Sequence, residues 1–252
     1  MRLTDTAALV TGGASGLGAA TAAALAEAGA TVFALDLPGA CAQAAPVDDV
    51  TYVVADVTDV VQVQSAVDAA VASGLPLRTV VNCAGIAPAM RILGRKGPHD
   101  LDLFARVVTV NLVGTFQVMT LATAAVAETG ADEHGQRGVV VNTASIAAFD
   151  GQVGQAAYAA SKAGVVGLTL PAARDLAAHG IRVCTIAPGI VDTPMLATVS
   201  EDVRAGLAAG VPFPQRLARP AEYARLVLMI LEHDYLNGET IRMDGALRMA
   251  PR

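Results

Sequence analysis

The stretch that decides the fold is "AALVTGGASGLG" at residues 7–18. Its first five residues form an apolar run that ends at glycines, which is typical of a buried parallel strand. An alanine- and leucine-rich run to Gly29 follows and predicts a helix. A strand, a glycine-rich turn and a helix in this order are the context of a dinucleotide-binding site. A tight loop without a ligand is the alternative.

The turn itself has the spacing Gly12, Gly16 and Gly18, rather than GxGxxG, with Ser15 and Leu17 between the glycines. Glycines let the backbone approach a pyrophosphate, and the N-terminus of the following helix offers free N–H groups and the positive end of its dipole. We therefore expect these five residues to bind phosphate.

The rest of the chain alternates strand-like and helix-like patterns. Apolar runs predict strands at residues 7–11, 31–35, 51–55, 77–81, 138–143, 181–187 and 240–243. The alternation predicts an α/β fold, a Rossmann-type doubly wound parallel sheet with helices on both faces. We expect a single dinucleotide-binding and catalytic domain over residues 1–252, in which the segment 190–219 forms a lid over the substrate.

Composition limits the classes of function. Of the 252 residues, 54% are hydrophobic and 16% are charged, so we expect a large core and apolar surface left for subunit contacts. The net charge is −6 without an extended basic cluster, so nucleic acid is not an expected partner. No uninterrupted apolar run approaches the roughly 20 residues of a membrane span, so no membrane contact is expected.

Cysteines and histidines point away from disulfides and metals. The three cysteines are widely spaced without a CxxC pair, and the four histidines include no HxxxH. This usage favours a reducing, cytoplasmic compartment and predicts no metal site. The first residues do not resemble a signal or transit peptide, which agrees with that expectation.

Asp36 ends the second predicted strand, eighteen residues beyond Gly18. A carboxylate at this point accepts hydrogen bonds from the adenosine ribose and repels a 2′-phosphate. Ser15, Leu37 and Pro38 supply no arginine that would offset the repulsion. We therefore predict NAD as the cofactor rather than NADP; the alternative is a solvated residue at a strand end.

Tyr158 and Lys162 lie four residues apart in an alanine-rich segment, so they share one face of a predicted helix. The ammonium is expected to lower the tyrosine pKa from its usual value of about 10. A shift to near 7 needs about three units, or roughly 4 kcal/mol, from Lys162 and any bound cation. Such a group moves a proton on or off an alcohol. Ser145, just past a strand, is expected to hold the same oxygen. Alternatively, Tyr158 and Lys162 are ordinary surface residues of a helix.

Further candidates stand at other strand ends. Asp56 and Val57 follow the third strand, where an adenine ring would be contacted, and the small residues Cys83, Ala84 and Gly85 follow the fourth. Ligands bind open α/β sheets outside these carboxyl ends. Asn111, in an apolar helical pattern, is either a catalytic aid or a satisfied core amide.

Together these motifs resemble the short-chain dehydrogenase/reductase family along nearly the whole chain. The shared positions are Gly12 to Gly18, Asp56, Asn82-Cys83-Ala84-Gly85, Asn111, Ser145, Tyr158, Lys162 and Pro188-Gly189. The resemblance implies that Tyr158 exchanges the proton and that Lys162 lowers its pKa and binds the nicotinamide ribose. It also implies that Ser145 orients the substrate and Asn111 holds a water in a proton relay.

Three longer runs are similar to the type II 3-hydroxyacyl-CoA dehydrogenases, also described as 17β-hydroxysteroid dehydrogenases. They are "NTASIAAFDGQVGQAAYAASKAG" (142–164), "TIAPGIVDTPML" (185–196) and "LNGETIRMDGALRM" (236–249). That subfamily is NAD-dependent and tetrameric. The resemblance implies cofactor contacts at Ser15, Leu17, Asp36, Asp56, Val57, Cys83, Tyr158, Lys162, Val191 and Thr193. Two departures are a shortened segment after Asp36 and the pair Val191-Asp192 where animal relatives carry an aromatic residue and glycine.

The sequence thus predicts an NAD-dependent oxidoreductase that interconverts a 3-hydroxyacyl-CoA and its 3-oxoacyl-CoA, with Ser145 and Tyr158 contacting the substrate. A homotetramer is expected from the resemblance. The alternatives are a 3-oxoacyl-carrier-protein reductase, a hydroxysteroid or other secondary alcohol dehydrogenase and, from a different class, an NAD-binding scaffold protein.

Overall fold

The structure is a computed structural model of the full chain and describes residues 1–95, 97–196 and 200–251. In these ranges a seven-stranded sheet has the spatial order β3-β2-β1-β4-β5-β6-β7, and all its strand pairs are parallel. The strands are β1 Ala7–Thr11, β2 Thr31–Asp36, β3 Val50–Val54, β4 Leu77–Asn82, β5 Gly138–Thr143, β6 Ile181–Pro188 and β7 Thr240–Met243. The predicted single-domain parallel α/β fold is confirmed.

Eight α-helices flank the sheet in the part of the chain that the structure describes. They are α1 Gly16–Glu27, α2 Pro38–Gln43, α3 Val60–Ala72, α4 Leu101–Val108, α5 Thr115–Ala127, α6 Ala156–Leu176, α7 Glu201–Ala209 and α8 Pro220–Glu232. A π-helical turn, Thr109–Gly114, joins α4 to α5, and the 3-10 turns Ile146–Ala148, Ala177–His179 and Pro194–Leu196 complete the set. Leu93–Gly94 and Gly97–Pro98 pair as a two-residue antiparallel hairpin.

Both faces of the sheet are buried, which explains the nearly continuous apolar character of its strands. Along β1, Ala7 and Leu9 pack into one core with residues of α3 and α5. Ala8 and Val10 point to the opposite core, which contains residues of α1 and α8. The alternation is the two-residue period of a strand, here with an apolar layer on each side.

The strand order reverses direction at β1, because β2 pairs with one edge of β1 and β4 with the other. Ligands of open α/β sheets bind in the crevice outside the strand ends at such a switch point. The glycine-rich turn leaves β1 there, and the segment after β4 lies beside it, so the topology brings the candidate residues together.

The sequence led us to expect no segment apolar enough to cross a membrane, but the helical run Leu101–Ala127 is long and apolar enough by that criterion. It is one continuous run of 27 residues, and the criterion is one of length and composition alone. Its inward face contributes Val118, Met119 and Ala122 to the core shared with α3. Packing in the interior therefore accounts for the apolar residues on that face of the run.

Candidate active site

A cavity of about 870 Å³ opens at the carboxyl ends of the strands. With the exception of Asn111, all the residues predicted to bind cofactor or substrate line it. They are Gly12, Ser15, Gly16, Leu17, Gly18, Asp36, Asp56, Val57, Cys83, Ala84, Gly85, Ser145, Tyr158, Lys162, Val191 and Thr193. The fold therefore brings residues from opposite ends of the chain into one site.

The glycine-rich turn is shaped by close backbone contacts. Gly12 has φ +63°, in the left-handed region, and a Cβ there would lie 2.9 Å from the backbone nitrogen of Ala84. A Cβ on Gly18 would lie 2.0 Å from the carbonyl oxygen of Gly12, which no side chain tolerates. These two positions require glycine, and the turn they form exposes the N-terminus of α1 to the cavity.

Asp36 connects the end of β2 to this turn. One carboxylate oxygen accepts a hydrogen bond from the backbone N–H of Ala14 at 3.0 Å, and the other accepts from Leu37 N–H at 2.8 Å. The carboxylate is therefore held at the cavity wall by two backbone donors. Leu37 lines the cavity beside it and brings no positive charge.

Asp56 and Val57 form the neighbouring wall. The Asp56 carboxylate accepts hydrogen bonds from the N–H and the hydroxyl of Thr58, which fixes the turn after β3. The carbonyl oxygen of Val57 accepts a 2.8 Å hydrogen bond from the side chain of Gln117. A Cβ on Gly114 would come within 2.8 Å of the Val57 side chain, so the end of the π turn packs closely against this wall.

The segment after β4 is held by a hydroxyl of β1. Thr11 Oγ1 accepts hydrogen bonds from the backbone N–H groups of Cys83 and Ala84, both at 3.1 Å. Next to them, a Cβ on Gly85 would lie 3.5 Å from Lys162 Nζ. The segment therefore runs close to the lysine, and the missing side chain leaves space on the cavity side.

Ser145 and Tyr158 stand at the other end of the cavity. Ser145 caps the short 3-10 turn after β5 by accepting a hydrogen bond from Ala147 N–H at 3.1 Å. Tyr158 lies in the first turn of α6 and is half-buried. Burial raises the pKa of the Tyr158 phenol above its ordinary value, while a hydrogen bond with Ser145 acts in the opposite direction.

Lys162 follows one turn later on α6 and is only 4% exposed. Its ammonium donates a 2.7 Å hydrogen bond to the carbonyl oxygen of Thr143, the last residue of β5. Burial lowers the pKa of Lys162 from 10.5 to about 8, and the nearby Cys83 acts weakly in the opposite direction. The cation is therefore placed inside the site at a real energetic cost.

The electrostatics correct one expectation from the sequence. Lys162 was expected to pull the pKa of Tyr158 below its usual value, and together with any bound cation to bring it near 7, whereas the protein chain by itself raises that pKa. The lysine Nζ lies 5.9 Å from the centre of the tyrosine ring, so the two residues are neighbours as predicted. Burial of the phenol raises its pKa by more than the hydrogen bond with Ser145 lowers it.

These features fit a nicotinamide dinucleotide. A turn without side chains for the pyrophosphate, a carboxylate for a ribose and a buried lysine for a second ribose follow one another along the cavity wall. Among the described residues, no group of three histidine, cysteine or acidic side chains is placed to hold a metal ion.

Comparisons with known proteins agree with this geometry. A family model described as short chain dehydrogenase matches residues 6–204. The chain belongs to the short-chain dehydrogenase family. A 3-hydroxyacyl-CoA dehydrogenase type-2 of Drosophila melanogaster is 53% identical over 248 residues, which cover 96% of this chain and 97% of the relative. The Homo sapiens protein of the same name is also 53% identical, over 97% of this chain and 95% of the relative.

A solved structure supports the same family assignment for this short-chain dehydrogenase. The crystal structure of 3-hydroxyacyl-CoA dehydrogenase type-2 from Mycobacterium avium superposes with a TM-score of 0.92 at 42% identity. The superposition covers 98% of both chains. The resemblance inferred from the motifs is thereby confirmed for the family and for these relatives.

Asn111 lies behind the cavity wall of this dehydrogenase. It is fully buried in the π turn, where its amide exchanges hydrogen bonds with both backbone groups of Ile86, at 2.8 and 2.9 Å. It also donates to Ser161 Oγ at 3.0 Å. The side chain thus fixes the start of the loop after Gly85, and its predicted part in a water relay stays a prediction.

The predicted lid, residues 190–219, contains α7 and lies over one side of the cavity; positions 197–199 fall outside the described residues. Its base is tied down at Ala218, which exchanges hydrogen bonds with Ile190 and Asp192. Thr193 touches the glycine-rich turn, since a Cβ on Gly16 would lie 3.5 Å from it. The segment therefore closes on itself at Ala218 and lies next to the glycine-rich turn at Thr193.

Several residues of the cavity gave no signal in the sequence. Thr143 accepts the lysine hydrogen bond through its backbone, which any residue type provides. Arg106, Gln152, Gln155 and Met249 line the cavity from distant parts of the chain. The two glutamines belong to the run 142–164 that resembles the relatives, so that run was the available signal.

Proposed function

We propose that this protein is an NAD-dependent oxidoreductase that interconverts 3-hydroxyacyl-CoA and 3-oxoacyl-CoA. The observation that carries the proposal is one cavity in which Ser145, Tyr158 and Lys162 face a glycine-rich turn and Asp36. The relatives that match nearly the whole chain bear the name of this activity. A nicotinamide cofactor follows from the family, and the choice of NAD rests on Asp36 without a nearby cation.

A nicotinamide cofactor held by the glycine-rich turn, Asp36 and Lys162 would supply the hydride acceptor for oxidation of the substrate's carbinol carbon. Tyr158 takes the hydroxyl proton at its phenol oxygen, while Ser145 holds the substrate oxygen. Because the pKa of Tyr158 in the chain alone is above 10, formation of the phenolate at neutral pH needs added positive charge. Lys162 is already part of that chain, and its pKa of about 8 means that it is mostly protonated at pH 7. The additional positive charge would therefore come from the oxidised nicotinamide.

A CoA thioester needs room for a long anionic arm. A second groove of about 480 Å³ lies between residues 91–93 and 151–156, and it shares Gln152 and Gln155 with the main cavity. The backbone N–H of Met90 donates to the carbonyl oxygen of Gly154 at 2.8 Å and ties the two walls together. Arg91 lines this groove, so a cation is available to CoA phosphates.

We also propose a cytoplasmic homotetramer. Val113, Phe116 and Leu170, on the helices that contain Asn111 and Tyr158, are 42%, 49% and 46% exposed and give these helices apolar outer surfaces. Such surfaces are usual at subunit contacts. The three cysteines are free, which suits a reducing compartment. Light scattering at micromolar concentration should give four times the chain mass; a stable monomer would contradict the assembly.

A substrate panel tests the function. The purified protein is assayed with NAD and NADP against 3-hydroxybutyryl-CoA, its carrier-protein thioester, a hydroxysteroid and a simple secondary alcohol. We expect the highest kcat/KM for the CoA thioester with NAD. Preference for NADP and the carrier-protein thioester would indicate the reductase. Preference for the steroid or alcohol would indicate the second alternative, and NAD binding without any turnover would indicate a scaffold protein.

A further inference from the structure

Tyr223, on α8, is completely buried but does not line the cavity. Its hydroxyl lies 2.7 Å from Thr143 Oγ1. A buried tyrosine hydroxyl needs a hydrogen-bond partner, and Tyr223 has one in Thr143 at the end of β5. Tyr223 thus connects a helix on the far side of the sheet to the last residue of β5.

The direction of the hydrogen bonds in this connection is fixed. Thr143 has one hydroxyl proton, and it points to the carbonyl oxygen of Asn82 at 2.5 Å. Tyr223 must then donate its proton to Thr143 Oγ1, which accepts it through a lone pair. The Cys83 thiol lies 3.7 Å from the tyrosine oxygen and donates to it. Each donor in this chain therefore has an acceptor, and the ends of β4 and β5 are joined.

The other side of Thr143 faces Lys162. The same residue whose hydroxyl is held by Tyr223 offers its carbonyl oxygen to the lysine Nζ at 2.7 Å. We propose that Tyr223 is a positioning residue that acts through Thr143 to hold the Lys162 ammonium in place for cofactor binding. Tyr223 does not line the cavity, so it would touch neither substrate nor cofactor. The inference rests on the proposed function only in assuming that Lys162 binds the cofactor.

A buried ammonium depends strongly on its acceptors, because water does not replace a lost hydrogen bond. Thr143 ends β5, and the next residue, Ala144, keeps one strand-like hydrogen bond to Ile186 at 2.8 Å. If that backbone bond alone fixes the carbonyl, Tyr223 contributes only packing. The two explanations predict different behaviour when the hydroxyl is removed and the ring is kept.

The first test uses the cofactor-free protein and the variant Tyr223→Phe. The chain has only two lysines, Lys96 and Lys162, so labelling with ¹³C at lysine Cε gives two signals by NMR, assigned with Lys96→Arg. The wild-type Lys162 should titrate near pH 8. In Tyr223→Phe it should titrate at lower pH, because a displaced carbonyl stabilises the charged form less. An unchanged titration in the variant would overturn the proposal.

The second test measures NADH binding by fluorescence. Tyr223→Phe should weaken NADH binding about fivefold, with the loss growing above pH 7, as for the partial loss of a hydrogen bond to a charged group. Tyr52→Phe is the matched control, because its hydroxyl bonds the carbonyl of Ala45 at the surface, 2.8 Å away. Equal binding by both variants would reduce Tyr223 to a packing role.

A double-mutant cycle identifies the route. Thr143→Val removes the hydroxyl that Tyr223 holds, whereas Thr143→Ser keeps it. We expect Thr143→Val to reproduce both effects, Thr143→Ser to behave as wild type, and the double variant to lose no more than the larger single effect. Additive losses would contradict action through Thr143. If Tyr223→Phe does not fold, the titration and NADH binding of Thr143→Val decide the proposal alone.

The outcome is separable from the proposed function. A wild-type protein that fails to bind NADH or to oxidise the CoA thioester would contradict the proposed function. The lysine titration in the absence of cofactor would still show whether Tyr223 controls Lys162.

Discussion

The two ends of the cavity are built by different means. At the end where we propose that adenosine binds, the wall consists of the backbone of the glycine-rich turn and of Asp36, whose carboxylate is hydrogen-bonded to two backbone donors. At the proposed catalytic end, the wall consists of side chains that are largely buried, and Lys162 is the most buried of the charged ones. The first end costs the fold little, whereas the second contains a buried charge.

This difference teaches where function opposes stability. Backbone donors at a helix N-terminus would be unpaired in any case, so their use in binding has a low cost. A lysine whose pKa falls from 10.5 to about 8 destabilises the fold by about 3 kcal/mol at pH 7. We therefore expect changes at the catalytic end to affect turnover and stability in opposite directions.

The largest expected effect is that of Tyr158→Phe. The change keeps the ring and its packing but removes the phenol oxygen that exchanges the proton. General acid–base groups contribute about 10²–10⁴-fold, so kcat should fall by about 10³. NADH affinity, measured by fluorescence, should stay within about twofold of wild type. A variant with most of its activity would remove Tyr158 from the mechanism.

Lys162→Met should separate stability from activity. It removes the buried cation, so we expect turnover to fall by less than in Tyr158→Phe and NADH binding to weaken more than about tenfold. Stability at pH 7 should rise by about 1–3 kcal/mol, measured by urea unfolding, because the desolvation cost disappears while one hydrogen bond is also lost. A less stable variant would show that the buried ammonium is not costly.

The stability of the wild type and of Lys162→Met should depend differently on pH. The folded chain releases the Lys162 proton near pH 8, before the unfolded chain does at 10.5. The unfolded state therefore binds more protons between these values, so wild-type stability gains a contribution as pH rises from about 8 to 10.5. Unfolding of Lys162→Met across this range should lack that rise.

At the adenosine end, the double change Asp36→Ala with Leu37→Arg should alter cofactor choice and leave the catalytic end intact. It removes the carboxylate that repels a 2′-phosphate and adds a cation beside it. We expect the ratio of kcat/KM for NAD over NADP to fall by about 100-fold, with little loss in stability. An unmodified protein that prefers NADP would show that the Asp36 argument is wrong.

The smallest effect is expected in the groove next to the cavity. Arg91→Ala should raise KM for 3-hydroxybutyryl-CoA about fivefold and leave kcat unchanged, because only uniform binding is lost. The matched control is Arg174→Ala, on an exposed turn of α6. For a truncated thioester that lacks the phosphates, KM should be the same for the wild type and Arg91→Ala. An equal rise in KM with this substrate would assign Arg91 a general structural role.

The sequence predicted the fold well, because periodicity and glycine placement determine it locally. The strand Thr240–Met243 lies where the apolar pattern placed it, and α6 carries Tyr158 and Lys162 on neighbouring turns as the spacing implied. Most of the candidates follow the carboxyl ends of predicted parallel strands, so the clustering of sixteen predicted residues at one cavity was also predictable, although the order of the strands was not.

Other features depend on tertiary contacts that the sequence pattern does not record. The pKa of Tyr158 depends on how deeply the phenol is buried, which spacing to Lys162 does not give. The position of Asn111 behind the wall depends on a π turn within an otherwise regular helical pattern. Tyr223 reached Thr143 across the sheet, from 80 residues along the chain, and had no motif.

The most direct test of the central claim is transfer of deuterium. The wild-type protein, in excess, is mixed with NAD and 3-hydroxybutyryl-CoA that carries deuterium at the carbinol carbon, and the NADH formed is analysed by mass spectrometry. Our account predicts that each NADH contains one deuterium and that NADH forms more slowly than with the unlabelled thioester. Formation of NADH without deuterium, or no reaction with this thioester, would contradict it.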